Sequence, residues 1–481
     1  MNLRSCVAAA VLLHASFSAA VTVSVDTNTT YQTIEGLGAF AEVASAYTPG
    51  HVQFLHDDLG LSMLRIFIEY DIERTNDNAD PNNTDLTKFA LPQRAITQIN
   101  AMKQFPDVKF IGSLWSPPAW MKTNNSTDNG GNLRDNMREE LAEMLYAWVT
   151  LVKQQTGVDV FAVSIQNESA FEEPYASCVY SATQYRDAFK TVGAYLAAKG
   201  LTTKFFGAEH MAWALNNSGT YEKVIKADPA ASPYLYAMAV HGYQDGVQAD
   251  TGSFAGVSAD DKQLWMTETS GYPLDWNGAM SLAANIHQSL RLAKMSAWVW
   301  WALEGKNDGE RLLTAGLDHT KKSLVSKNFY KWVRPGALMV GCTSGAASLL
   351  ASAYVQRADR TMTIVLVNSA GATTVSLSGT AIPASFEKHV TSSSKNCADE
   401  GTVASSGSIT IDGSSVTTLF AREFGPVRAV EPLRMLRPAT HRTGPAGGPV
   451  GLDGRWLEPA TAVRPLSPAA AVTNRVNVTV R

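Results

Sequence analysis

The chain has 481 residues, 45% hydrophobic and 17% charged, with a formal net charge of −4. That length suits one large domain plus a smaller one, with enough apolar side chains for an extensive core. The charge balance excludes a basic stripe for nucleic acid and a like-charged solvating tail, so no nucleic-acid partner is expected.

The first residues read as a secretion signal. Arg4 supplies positive charge, residues 7–13 are a short apolar run, and Ser18-Ala19-Ala20 offers small residues for cleavage after Ala20. The apolar run falls far short of the roughly 20 residues that cross a bilayer, and no later run reaches that length, so a secreted protein without stable membrane insertion is expected. Residues 21–34 read as strand and turn. From there to residue 303, eight short apolar runs alternate with longer amphipathic ones: 34–38, 63–68, 108–112, 160–165, 204–207, 235–240, 264–267 and 297–302. Near-continuous apolarity is the pattern of parallel strands covered on both faces. Between them, residues 137–155 place Leu141, Met144, Leu145, Trp148, Leu151 and Val152 at helical spacing, and 182–199 and 279–295 behave similarly. Alternation on this scale predicts an α/β fold, a (β/α)8 TIM barrel over residues 35–322. A doubly wound open sheet is the alternative, weakened because no glycine-rich phosphate loop follows an early strand; Gly36 and Gly38 read as backbone-permissive positions instead.

Short alternating runs at 349–356, 361–368, 373–377, 386–391, 408–411 and 416–424 are separated by Gly, Ser and Asn. They predict a fused side β-sandwich made of residues 323–424 plus 21–34. Residues 425–481, rich in Pro, Ala, Arg and Gly, are expected to be a disordered tail. Cys6 would leave with the signal. Of Cys178, Cys342 and Cys397, the last two lie in the strand-rich region and are the expected disulfide, leaving Cys178 free. Sequons at Asn28, Asn82, Asn124, Asn125, Asn216 and Asn477 are expected glycan acceptors, whereas Asn167, formally a sequon, reads as a site residue. No Cys or His pattern calls for a metal, and no cofactor is expected. A monomer is expected.

In a barrel, reactive groups gather at the C-terminal ends of the strands. The fourth apolar run ends in Asn167-Glu168 and the seventh in Thr267-Glu268, 100 positions apart. A barrel of about 250 residues spends about 31 on each βα unit, so three units carry the chain from the fourth strand to the seventh. A charged side chain closing an apolar run costs desolvation unless it has a partner or a task. Two carboxylates facing one opening suit glycoside hydrolysis, in which one donates a proton to the leaving oxygen and the other attacks the anomeric carbon. The competing reading is a pair of surface-loop carboxylates.

With these glutamates in place, several stretches resemble glycoside hydrolase family 30. They are Thr33-Ile34-Glu35-Gly36-Leu37-Gly38-Ala39, Leu64-Arg65-Ile66, Val333-Arg334-Pro335-Gly336 and, most specifically, Trp115-Ser116-Pro117-Pro118-Ala119-Trp120-Met121-Lys122. The resemblance covers residues 21–424, the side β-sandwich included. It implies a retaining β-glycosidase with Glu168 as general acid/base, Glu268 as nucleophile and Asn167 bonding the substrate 2-hydroxyl. It places His241 and Tyr243 beside the nucleophile and lets Arg65 bond that carboxylate and keep it ionised. Trp115, Trp120 and Trp301 would form sugar-stacking walls. Arg65 also reads as a structural ion-pair partner and His241 as a core histidine. Trp298 and Trp300 read as core, since alternate strand residues point opposite ways. Glu172, Glu173, Glu209 and Glu304 also lie near strand ends, and Glu209, closing the fifth strand, is the main rival carboxylate, expected to bind substrate if it is not catalytic.

The substrate expected first is xylan, then β-1,6-linked galactan or glucan. A glucosylceramidase-like activity on a glycolipid, as the family includes, and a catalytically silent carbohydrate-binding protein are the alternatives. After the eighth strand, Ala302-Leu303-Glu304-Gly305-Lys306 lacks the basic and aromatic residues with which the xylanase branch holds a glucuronic acid group, leaving Lys306 and Arg311 as the candidate anion contacts there.

Overall fold

All eight apolar runs form the strands of one closed barrel in the computed structural model, which describes residues 20–42, 47–211, 220–243, 253–254 and 257–425. The expected secretion signal and tail, and the sequons at Asn216 and Asn477, lie outside the described residues. In chain order the first strands are β1 (Val21–Thr33), β2 (Gly36–Phe40), β3 (Met63–Ile68), β4 (Lys109–Leu114), β5 (Ala162–Ser164), β6 (Lys204–His210) and β7 (Leu235–His241). The two-residue strands β8 (Ser253–Phe254) and β9 (Val257–Ser258) follow, then β10 (Gln263–Glu268) and β11 (Ala297–Trp300). The later strands are β12 (Leu338–Ser344), β13 (Leu349–Gln356), β14 (Thr361–Asn368), β15 (Thr373–Gly379), β16 (Ser385–Ser392), β17 (Ala398–Ala404), β18 (Ser408–Ile411) and β19 (Ser415–Ala421). The α-helices are α1 (Pro49–Gln53), α2 (Gln93–Met102), α3 (Arg138–Thr156), α4 (Ala182–Ala198), α5 (Thr220–Ala227), α6 (Trp276–His287) and α7 (Lys321–Tyr330).

The barrel runs β2-β3-β4-β5-β6-β7-β10-β11 and closes β11 onto β2, every neighbour parallel. Met63, Ile111, Ala162, Phe206, Ala237, Ala239, Trp265, Ala297 and Val299 fill its interior. The larger core lies between strands and helices, and it takes in every apolar position read from α3, together with Trp298 and Trp300. Gly38 sits where the backbones of β2 and β3 nearly touch: a Cβ there would lie 1.7 Å from the Met63 carbonyl oxygen, which a paired strand cannot move. At the N-terminal mouth, Glu35 accepts from Trp265 Nε1 at 2.8 Å and from Tyr236, so this part of the quoted motif closes the barrel floor.

Local chemistry sets the helix starts. Ser181 and Gln184 form a capping box on α4, Asp275 caps α6, and Thr320 and Ser323 cap α7. The expected boundary at residues 322–323 falls inside α7. That helix packs on α6 on one side and on β16 and β19 on the other, so it serves both layers, and the first strand after it is β12.

The side domain is one nine-stranded sheet, β17-β16-β19-β14-β13-β12-β1-β15-β18. Its pairs are antiparallel except β1 with β15, so the first segment of the chain joins it as expected. Val23, Val25, Val340, Ile364, Leu366 and Leu419 lie in its core. Two strands escape the alternation rule. Gly341 interrupts β12, and β17 is an exposed edge strand with little apolar pattern.

The expected Cys342–Cys397 disulfide is absent: all three described cysteines are free and buried. Cys342 points into the core of the sheet, whereas Cys397 packs with Leu324, Trp332 and Phe420 in a separate cluster beside α7. Sharing a strand-rich region did not put the two on one face.

Candidate active site

At the C-terminal mouth the strands lose their regular register. β7 and β10 are out of step between Met266 and Glu268, and β6 and β7 between Ala208 and His210. Such irregularities re-aim side chains, and these lie beside Glu209, His241 and Glu268. Glu168 and Glu209 hold left-handed backbone angles, φ +48° and +53°. For residues with a Cβ this is strain, of the kind that persists where surrounding structure over-determines a functional geometry.

These side chains converge. One carboxylate oxygen of Glu168, one of Glu268 and one ring nitrogen of His241 all lie within 4.8 Å of one another. Tyr243 donates to Glu268 Oε1 at 2.7 Å, and Arg65 donates to its other oxygen. The Arg65 guanidinium is fully buried, with its remaining donors on Asn167 Oδ1 (2.7 Å), Glu209 Oε1 (2.9 Å) and Ser113 Oγ (3.0 Å). Ser113 also donates to Glu209 at 3.2 Å. Because Arg65 occupies the Asn167 oxygen, the amide nitrogen is left to face a ligand. His241 Nδ1 lies 3.0 Å from Glu168 Oε1, with Nε2 3.6 Å from Glu209.

Burial and charge set the protonation pattern. Burial raises the Glu168 carboxyl above its ordinary value, and His241 only partly opposes this. Burial alone would lower His241; Glu268 and Glu168 outweigh it and raise the imidazolium to about 9. Burial would also raise Glu209, but Arg65 and then His241 hold it down at about 2. Burial and then Glu268 push the Tyr243 phenol well above its usual range, keeping it a donor. The mouth therefore holds one carboxylate braced by a guanidinium and a phenol, and within reach a second whose environment favours a proton.

A cavity of about 750 Å³ opens over the pair. Asn167, Glu168, Tyr243 and Glu268 line it, with an aromatic wall of Phe40, Phe67, Trp115 and Trp301. Trp301 stacks on Phe40 at 4.2 Å and Trp115 on Phe67 at 4.5 Å, while the Arg65 guanidinium lies 4.6 Å from the Trp115 ring. A smaller cavity of about 370 Å³ lies at the start of β6 and β7, lined by Thr203, Lys204 and Leu235, away from these carboxylates.

Four of the expected site residues do not line the cavity, although Arg65 does bond Glu268 and His241 does lie beside it as expected. Glu209 is fully buried beneath the cavity, and its partners make it a counter-ion to Arg65. Arg65 and His241 are likewise buried and do not line the cavity; they position Glu268 and Glu168 respectively. Trp120 is also displaced: its indole donates to the Glu73 carbonyl at 3.1 Å and its ring packs on the main core, because the short helical turn after β4 carries it away from the mouth. Of the loop candidates, Glu173 and Lys306 line the cavity and Arg311 does not. Phe40, Phe67, Glu69, Tyr70 and Tyr175 were missed as lining residues. Phe40 was legible, since it is the last residue of β2, two beyond the expected end of that strand.

Residues 53–282 match the Glycosyl hydrolase family 30 TIM-barrel domain. An endo-1,6-beta-D-glucanase of Aspergillus fumigatus is 26% identical over 404 residues, covering 74% of this chain and 78% of that protein. The lysosomal acid glucosylceramidase of Mus musculus is 22% identical over 331 residues, 60% of this chain and 63% of that one. Among solved structures, a family 30 subfamily 8 xylanase from Clostridium acetobutylicum superposes with a TM-score of 0.71 at 24% identity, covering 83% of this chain and 99% of that one.

Proposed function

The chain belongs, through its barrel, to glycoside hydrolase family 30 and is an O-glycosyl hydrolase, and on that premise we propose that it cleaves a neutral β-1,6-linked glucan with retention of configuration. The observation that carries the retaining reading is the approach of Glu168 and Glu268 within 4.8 Å inside the cavity. Retaining enzymes hold their carboxyl groups about 5–5.5 Å apart, and inverting ones leave room for a water, about 6.5–9.5 Å.

In the first step Glu268, its negative charge stabilised by Arg65 and Tyr243, attacks the anomeric carbon. The glycosidic C–O bond breaks as Glu168 gives its proton to the leaving oxygen. In the second step Glu168, now a carboxylate, takes a proton from water, whose oxygen displaces Glu268 and regenerates both groups. Asn167 donates to the sugar 2-hydroxyl, a bond that strengthens as charge develops at the ring.

The choice of glucan over xylan moves away from the order expected from sequence. Five carboxylates line the cavity besides the pair, Glu42, Glu69, Asp128, Glu173 and Glu310, against the cations Arg94 and Lys306. Such a field disfavours a glucuronate-bearing xylan. The endo-1,6-beta-D-glucanase relative supports the same choice. A glycolipid substrate would favour an apolar rim, and among the described residues the only large hydrophobic side chain counted as exposed is Tyr175, at 50%.

We also propose a secreted protein cut after Ala20. Val21 opens β1, so such a cut leaves the strand whole, and sequencing the mature N-terminus checks it. For the activity, the purified protein is incubated with β-1,6-glucan, β-1,6-galactan, glucuronoxylan and glucosylceramide, and the anomer formed first is read by NMR. β-1,6-glucan is expected to be cut fastest, yielding the β-anomer. Glu268→Gln is expected to lose at least about 10⁴-fold in rate. An α-anomer, or full activity in Glu268→Gln, would overturn the mechanism, and preference for another glycan would overturn the substrate.

A further inference from the structure

A second cluster of acids lies outside the catalytic cavity. Glu73 and Asp77 belong to the loop after β3, and Glu143 lies on α3. One carboxylate oxygen from each lies within 4.8 Å of the others. Glu73 and Glu143 are fully buried, and no oxygen of the three accepts a well-formed hydrogen bond, the Thr84 hydroxyl and the Asp77 N–H making only looser contacts with Glu143 and Glu73. Glu140, one turn before Glu143, accepts from Asn76 Nδ2 at 3.2 Å and leaves its other oxygen without a partner. None of the four forms an ion pair with a described Lys or Arg. Lys199, the cation that acts on Glu143, spends its ammonium on the Asn82 carbonyl at 2.9 Å.

Buried carboxylates without well-placed donors are costly, and three at this separation repel one another as well. A hard cation removes both costs at once. The donor set is oxygen only, drawn from a loop and a helix, which suits calcium and its irregular six- to eight-fold coordination better than zinc or copper.

We propose that Glu73, Asp77 and Glu143, with Glu140 at the edge, bind one calcium ion. The ion clips the loop after β3 to α3. That loop begins with Glu69 and Tyr70, which line the catalytic cavity, and its Glu73 carbonyl accepts from Trp120. Calcium therefore steadies one wall of the cleft from behind.

The full chain, stripped with EGTA and titrated with calcium chloride by calorimetry at pH 7.5, is expected to bind one ion and to melt a few degrees higher with it. The catalytic trio is a second place where a divalent ion would find three ligands, so Glu168→Gln/Glu268→Gln is the control, expected to keep the full response. Glu73→Gln/Glu143→Gln is expected to lose it, and Asp77→Asn, a milder change, to weaken binding at least tenfold. No heat and no rise in Tm at millimolar calcium overturns the site, as does a response that survives in Glu73→Gln/Glu143→Gln. Tighter binding of magnesium or manganese overturns the choice of ion.

Discussion

Tyr243 donates to Glu268 Oε1 at 2.7 Å, on the oxygen that Arg65 does not engage. The phenol arrives from just past the end of β7 and the guanidinium from β3, so two separate parts of the barrel hold one carboxylate. Removing one hydrogen bond to a charged group costs about 1.5–3 kcal/mol. Tyr243→Phe is therefore expected to lower kcat/KM roughly 10- to 150-fold and to lower Tm by no more than a few degrees. Steady-state kinetics on an aryl β-glycoside, with a melting curve alongside, checks both halves. Full activity in this variant would remove the phenol from the mechanism.

Arg65 answers a different question. It is fully buried between Glu209 and Glu268 and donates to both. Arg65→Met strands two buried carboxylates, a loss of about 3–5 kcal/mol for a broken buried pair. The variant is expected to melt several degrees lower and to lose activity; lysine, a point charge, cannot restore the fork to Glu268, Asn167 and Glu209. Scanning calorimetry on both variants tests this, and a wild-type Tm in Arg65→Met would show that the network is not stabilising.

The pH dependence of stability has two limbs. Glu209 is held at about 2 against an ordinary 4.5, so its contribution is present above 4.5 and is lost as pH falls toward 2. Glu222, buried without a cation, rises to about 8, Glu143 to about 7 and Glu73 to about 9, all from 4.5. His241 rises from 6.5 to about 9. Raised groups favour the fold fully below their unfolded values and lose that contribution as pH climbs through the folded ones. With calcium chelated, Tm is thus expected to peak near pH 4.5, to fall as pH climbs above it and to fall further through 6.5 to 9 as His241 joins the raised glutamates. Melting curves in EGTA across that range check the sign; a Tm still rising from pH 6.5 to 9 would contradict it.

The cysteines make a simple test. Cys178, Cys342 and Cys397 are all buried and unpaired, and burial lifts each thiol above its ordinary value. A reductant is expected to leave Tm unchanged, and the described thiols to react with a thiol reagent only after denaturation. A reductant-sensitive Tm would restore the disulfide.

Much of this protein was legible in its sequence because the determining signals are local and periodic. Eight apolar runs, their spacing and the glutamates that close the fourth and the seventh place both carboxylates at one barrel mouth, since strands β5 and β10 must open on the same face. Helix caps and buried helix faces follow from residues only three or four apart. What only the tertiary structure decided depends on which side chains meet across strands and loops. Glu209 and Glu268 both end apolar runs, yet the first lies beneath Arg65 and the second faces the cavity, because irregular strand ends turn them differently. Trp115 and Trp120 share one motif, but a helical turn separates their destinations. Cys342 and Cys397 share a domain but not a face, and Glu73, Asp77 and Glu143 come together only because a loop folds back on a helix about 70 residues later. Sequence periodicity determines which face a residue takes; which partner it finds there is set by the closure of the barrel.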